Sequence, residues 1–182
     1  AKEAFEHSIE LNPGYASVHK WYATLLGIQG KTDEAKGELR RALEINPLSH
    51  NFLTDLGEAH YFAREYERAE EYCHKALEIY PDFFNAHVLL QHIYLQRGED
   101  EKYIEASIRS NRVWQTFSDQ APKEKERFEK HFAKEREDFR KVGLRNYIAA
   151  RYFRVPLSKS THYERAWYHA LFGEKEKALD NL

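Results

Sequence analysis

The chain has 182 residues, 42% apolar and 32% charged, with only 8 glycines and 5 prolines, which is enough for a sizeable core and too few turn formers for a β-rich fold. A formal net charge of −2 and a pI near 6.6 exclude a global attraction to nucleic acid or to an anionic membrane. No apolar run approaches the roughly 18 residues of a membrane-crossing helix, and the lone Cys73 excludes an internal disulfide framework. Methionine is absent, and we expect the chain to be part of something longer.

Taken in order, Ala1 to Leu11 reads as the second helix of a helix pair, with Ala1, Phe5, Ser8 and Leu11 on one face. Asn12-Pro13-Gly14 ends it, because proline lacks the next amide and glycine tolerates the turn. A complete unit follows from Ala16 to Ser49. Val18, Tyr22, Leu25 and Leu26 stripe its first helix, which Gly30 closes. Thr32 is the expected N-cap of the second helix, Asp33 and Glu34 suit its first turn, and Ala35, Leu39, Ala42, Leu43 and Ile45 form its stripe. The unit His50 to Phe83 repeats the design with Leu53, Leu56-Gly57, Ala59, Tyr66, Ala69, Cys73, Ala76, Leu77 and Ile79. Each unit closes alike: Ser8-Ile9-Glu10-Leu11-Asn12-Pro13, Ala42-Leu43-Glu44-Ile45-Asn46-Pro47 and Ala76-Leu77-Glu78-Ile79-Tyr80-Pro81 recur at one spacing of 34 residues, the mark of a repeat architecture.

This pattern resembles the tetratricopeptide repeat, whose 34-residue unit carries a Leu-Gly pair in its first helix, small residues early and late in its second, and a closing proline. Leu56-Gly57, Ala35 with Ala69, Ala42 with Ala76, and Pro47 with Pro81 match in register, while His19, Leu53 and His87 replace the usual tryptophan. The resemblance implies an all-α, right-handed superhelix of antiparallel helix pairs, an α-solenoid.

Beyond Phe84 the pattern drifts. His87, Leu90, Tyr94 and Gly98 keep the first-helix register, but Tyr103 and Ser110 stand where small alanines belong and no proline follows. We expect Tyr103 to splay the hairpin, the second helix to run on through Ile104, Ile108 and Trp114, and the superhelix to change direction. Pro122 to Gly143 alternates charges around a narrow seam of Phe128, Phe132, Phe139 and Val142. It reads as a long amphipathic helix laid on the repeats and continued through Leu144 to Phe153, with disorder the alternative that the aligned phenylalanines oppose. Val155 to Ser160 breaks that helix, and Ala166, His169, Gly173 and Ala178 return to tetratricopeptide register. The organisation expected is therefore an array over 1–116 (a partial repeat 1–15, full repeats 16–49 and 50–83, a degenerate repeat 84–116). A charged irregular helical segment, 117–157, and a truncated last repeat, 158–182, follow. The pairing of this irregular helical segment, the Val155-Pro156-Leu157-Ser158 link and the terminal repeat is similar to the carboxy-terminal repeat regions of bacterial winged-helix transcriptional regulators, implying a regulatory or sensing part of a larger signalling protein.

No motif carries catalysis, a cofactor or a metal. There is no His-Glu-x-x-His, no glycine-rich phosphate loop and no serine elbow, and we read the ten histidines as core or surface residues. Cys73 stands in register with Leu39 and Phe5, which marks it as a small buried hydrophobe. The bases of 123–141 are interleaved with nearly as many acids, so no sustained field for phosphate arises and no direct nucleic-acid contact is expected.

What remains is the concave face that stacked first helices leave for a peptide or partner protein. The residues expected there are Lys20, Thr24 and Ile28, then Asn51, Thr54, Glu58, Tyr61 and Phe62, then Asn85, Val88, His92 and Gln96. Asn51 and Asn85 are suited to a ligand backbone, Tyr61 and Phe62 to apolar contact. Some of these are equally consistent with packing on the next repeat. Tetratricopeptide domains that grip a chaperone's terminal carboxylate use lysines, asparagines and an arginine. Lys20 matches the first place, but Thr24, Asp55, Asn85 and Leu89 stand at the others, and Asp55 would repel a carboxylate. The function expected is a non-catalytic interaction scaffold. A structural or self-association module is the alternative, and a helper domain of an enzyme would require an active site elsewhere.

Overall fold

The apolar stripes fold as amphipathic helices that bury their marked faces in pairs. The computed structural model describes residues 2–116, 121–153, 169, 171–172 and 174–180, and these contain no strand. Residues 1–119 and 120–182 form two compact units. In the first, α1 (Lys2–Leu11) precedes the pairs α2 (Ala16–Ile28) with α3 (Thr32–Ile45), α4 (His50–Phe62) with α5 (Tyr66–Ile79), and α6 (Phe84–Arg97) with α7 (Asp100–Thr116). Each first helix also touches the next one, α2 against α4 and α4 against α6, which sets these helices side by side.

The core follows the stripes. Tyr22, Ala23 and Leu26 of α2, Ala35 and Leu39 of α3 and Leu56 of α4 form one buried cluster, against which Phe5, Ile9, Leu25 and Tyr72 pack. Truncating Leu26 or Leu56, each almost fully buried, would cost about 2–5 kcal/mol in lost contacts and cavity. The small residues permit close crossings. A side chain added at Gly57 would meet the Ala69 carbonyl oxygen at 3.2 Å and Leu89 Cδ2 at 3.4 Å. Ala42, Ala69, Ala76 and Cys73 are fully buried, and burial pushes the Cys73 thiol up to about 12, far from a nucleophile's range.

Several expectations need correction. Ile45 and Ile79 are substantially exposed, each as the last residue of its helix. Helix α3 starts at Thr32 itself, so Lys31 holds the N-cap place and caps nothing, whereas Ser49 accepts the Phe52 amide at 3.3 Å to cap α4. Tyr103, expected to splay the hairpin, lies inside its packing. It is buried, as is Ser110, whose hydroxyl accepts from Gln91 Nε2 at 2.7 Å and donates to the Ser107 carbonyl. Helix α7 does run long, 17 residues against 14 for α5, and leaves Trp114 exposed beside Phe84.

Polar junctions fix the stacking of successive pairs. Buried Lys36 on α3 donates to Glu65 at 3.0 Å, and Glu65 bonds His60 Nδ1, so a cation from one pair clamps the tight turn of the next. One repeat on, the signs are reversed. Glu70 of α5 takes Tyr94 Oη at 2.9 Å, Arg97 at 2.6 Å and Lys102 at 3.4 Å. Burial alone would raise the Glu70 pKa, but the tyrosine hydroxyl and the two cations outweigh it and hold the carboxyl below its usual range.

The second unit contains α8 (Ala121–Phe153) and α9 (Lys175–Leu179). The expected uninterrupted helix is corrected at Gly143, whose φ of 76° and ψ of 164° break α8 into two arms. In a straight helix Glu135 and Tyr147 would be about 18 Å apart. Here Tyr147 Oη donates to Glu135 at 3.2 Å and stacks edge-on with Phe139, so the chain folds back on itself. The seam is corrected too: Phe132 and Phe139 are buried, joined by Leu144, Tyr147 and Ile148, while Val142 at the bend is exposed. Farther on, Arg145 bonds Glu174 29 residues away, the separation of Lys36 and Glu65, and His169 bonds Glu174 five residues away, the separation of His60 and Glu65. Arg145 and His169 draw the Glu174 carboxyl down to about 2. The side chain of Phe128, the Val155–Ser160 break and residues Ala166 and Gly173 lie outside the described residues.

Candidate functional site

The first helices α2, α4 and α6 leave one open interval between them and one filled interval. Between α2 and α4 lies a cleft of about 440 Å³. Its floor is Ala23, Gly27, Ala35 and Ala59, and its rim carries Thr24, Ile28, Glu58 and Phe62. Ile28 and Phe62 are exposed at 81% and 69%, unusually open for large apolar side chains that flank a concavity. Lys20 stands beside the cleft, 3.3 Å from Asp55 Oδ2, with its ammonium also 5.6 Å from the Trp21 ring. Thr24 donates its hydroxyl to the Lys20 carbonyl at 3.1 Å.

Both carboxylates here are held above their ordinary range. Burial raises Asp55, which Lys20 only partly offsets, and burial followed by the neighbouring Asp55 raises Glu58. Glu58 has no hydrogen bond or ion pair among the described residues.

Between α4 and α6 the same interval is filled by rings. Tyr61 lies 5.6 Å from Phe62, 5.7 Å from Tyr66 and 6.2 Å from His92. Burial raises the Tyr61 hydroxyl and lowers the His92 imidazole, part of which stays open to water.

The structure therefore gathers Lys20, Thr24, Glu58 and Phe62 around the cleft, and Tyr61 with His92 beyond it. Asn51, Asn85 and Gln96 are exposed and Val88 is half-buried. Asn51 bonds neighbouring His50 at 3.3 Å. Thr54 is buried and gives its hydroxyl to the His50 carbonyl at 2.9 Å, so it is closed to a ligand here. Gly27, Thr32 and Ala59 shape the cleft and were not among the expected site residues. Their signal was smallness at positions that hold Tyr61, Tyr66 and Ile93 one repeat later. The described residues gather no group of three or more metal-ligating side chains, and no helix among them is long and apolar enough to cross a membrane.

Comparison with known proteins agrees with this architecture. Tetratricopeptide repeat family profiles match residues 23–82 and 4–37. A tetratricopeptide repeat-containing protein of Caenorhabditis elegans, trd-1, is 25% identical over 123 residues, a match that covers 63% of this chain and 16% of that protein. Among solved structures, MamA of MSR-1 shares the fold at 23% identity and a TM-score of 0.55, covering 64% of this chain and 67% of that one. A further MamA crystal structure does so at 14% identity and 0.56, covering 99% and 81%. The first tetratricopeptide domain of Spaghetti (RPAP3), bound to an HSP90 peptide, aligns at 19% identity and 0.52, covering 65% and 93%. With helix pairs stacked at a 34-residue period and family matches spanning residues 4–82, that part of the chain is built of tetratricopeptide repeats.

Proposed function

We propose that the chain is a non-catalytic interaction module that holds a peptide or partner protein on the inner face of α2, α4 and α6. The observation that carries this is the open cleft on that face, flanked by exposed Ile28 and Phe62 where a merely structural stack would close. The peptide-bound Spaghetti domain supports the mode of use, although its ligand class does not transfer. Lys20 is already paired with Asp55, so an anionic chain terminus would meet a neutralised cation beside a carboxylate. We place the working repeats at 16–49, 50–83 and 84–116. The narrower role, as the regulatory part of a bacterial signalling protein, rests on the resemblance of the irregular segment, the Val155–Ser158 link and the terminal unit, of which residues 154–168 lie outside the described residues.

The test replaces His92 with a photo-crosslinking phenylalanine analogue, and separately Lys75, which is exposed on α5. Crosslinks to a partner from position 92 and none from 75 support the reading, and the reverse overturns it. Self-association is the second reading, favoured by exposed Trp21 and Trp114. Sedimentation that stays monomeric across a concentration series removes it.

A further inference from the structure

The cleft exists because two residues are small. One repeat later, Gly27 becomes Tyr61, Thr32 becomes Tyr66 and Asp55 becomes Leu89. There the rings of Tyr61 and Tyr66 lie 5.7 Å apart and Leu89 packs against Gly57, which fills the same interval with protein. At Gly27 nothing approaches within 4 Å of where a side chain would start. The α2–α4 interval thus keeps an apolar hollow that its sister interval closes with its own side chains.

The walls have a charge preference. Asp55 and Glu58 line the cleft, and among the described residues Lys20 alone answers them. The nearby cations Lys31 and Lys36 are engaged elsewhere, with Glu34 and with Asp33 and Glu65. One negative charge is left over at Glu58, above an apolar floor. A long aliphatic stem ending in a cation complements both features at once, and arginine adds a fork that engages a carboxylate through two hydrogen bonds.

We infer that the α2–α4 cleft receives one basic side chain, arginine in preference to lysine, from an extended segment of the partner protein. The stem lies on Ala23, Gly27 and Ala59, and the guanidinium meets Glu58 between the apolar guards Ile28 and Phe62. This rests on the groove reading above and names the ligand chemistry at one place in it. The raised carboxyl of Glu58 is consistent with a group awaiting its counter-charge.

The test uses the whole chain, isotope-labelled, titrated with N-acetylarginine amide and, in parallel, with N-acetylnorleucine amide, which keeps the stem and lacks the charge. The arginine probe is expected to shift the amides of Gly27, Glu58 and Ala59 with a dissociation constant on the order of 1 mM, as its size allows. The norleucine probe should bind about tenfold more weakly. Glu58→Gln should erase that difference, and Gly27→Tyr, which copies Tyr61, should abolish binding of both. Equal binding of the two probes, indifference to Glu58→Gln, or shifts confined to other residues would overturn the inference, as would no shift at all. Glu58→Gln alone decides if Gly27→Tyr does not fold. Crosslinking from position 92 separates the two readings. If it persists while the arginine probe fails, the groove stands and this ligand assignment falls. If the partner crosslinks only from position 75, the groove itself falls.

Discussion

Arg64 occupies a conformation that its neighbours in register leave to glycine. Its φ is 61°, where Gly30 has 75° and Gly98 has 67°, at the same turn of three successive repeats. A Cβ in the left-handed region costs about 1–2 kcal/mol, so the turn is imposed on Arg64 by the helices it joins. Arg64→Gly should therefore raise stability by about 0.5–1 kcal/mol in urea unfolding, with part of the relief offset by the greater freedom of the unfolded chain. Gly57→Ala should do the opposite. The added methyl meets the backbone oxygen of Ala69 at 3.2 Å and the Tyr72 Cβ at 3.3 Å, neither of which yields easily. A loss of about 1–3 kcal/mol is expected, and a neutral result would mean that the α4–α5 crossing is looser than described. Gly57 was legible from its Leu-Gly pairing. The strain at Arg64 shows in the sequence only through its register with Gly30 and Gly98, since its own side chain gives no sign of the backbone beneath it.

At the scale of elements, α8 shows where helical periodicity misleads. The spacing of Phe132, Phe139 and Val142 describes one continuous stripe, and nothing in that spacing reports direction. Gly143 turns the chain there, at a φ of 76° and ψ of 164° that only glycine adopts comfortably. The fold-back makes Tyr147 a partner of Glu135 and Phe139 and puts Val142 in water. Gly143→Ala should cost about 1–3 kcal/mol through backbone strain alone, because no atom lies within 4 Å of the added methyl. Gly37→Ala in α3, equally uncrowded but helical, should stabilise by about 0.5–1 kcal/mol. Thermal melts of the two variants that move in the same direction would contradict the bend.

For the whole molecule, the histidines that packing desolvates set an acid limit. His60 is lowered by burial, more than its bond to Glu65 restores, and His87 is lowered by burial although its Nε2 donates to the Pro81 carbonyl at 2.8 Å. His92 is lowered by burial as well. A histidine whose folded pKa lies below its unfolded value of about 6.5 takes its proton first in the unfolded chain, so the stability it contributes is complete above that pH and is lost below it. Glu65 and Glu70, held low by their partners, act in the same sense at more acid pH. Asp55 and Glu58, held high, act against it and gain as the pH falls. The melting temperature should therefore fall between about pH 7 and pH 5. A melting temperature that is flat or rises across that range would show that the carboxylates of the cleft outweigh the histidines.

The sequence by itself determined the repeat, since apolar spacing, small crossing residues and recurrent prolines are local features that need no partner to be read. It determined the burial of Cys73 for the same reason, through its register with Leu39. The tertiary structure alone decided which first-helix residues share a space. Tyr61 closes one interval because Tyr66 and His92 stand against it, while Gly27 and Thr32 leave the preceding interval open to Glu58. It alone decided the bend at Gly143 as well. A cleft is what several helices fail to fill together, and that failure belongs to their packing and to no single stretch of chain.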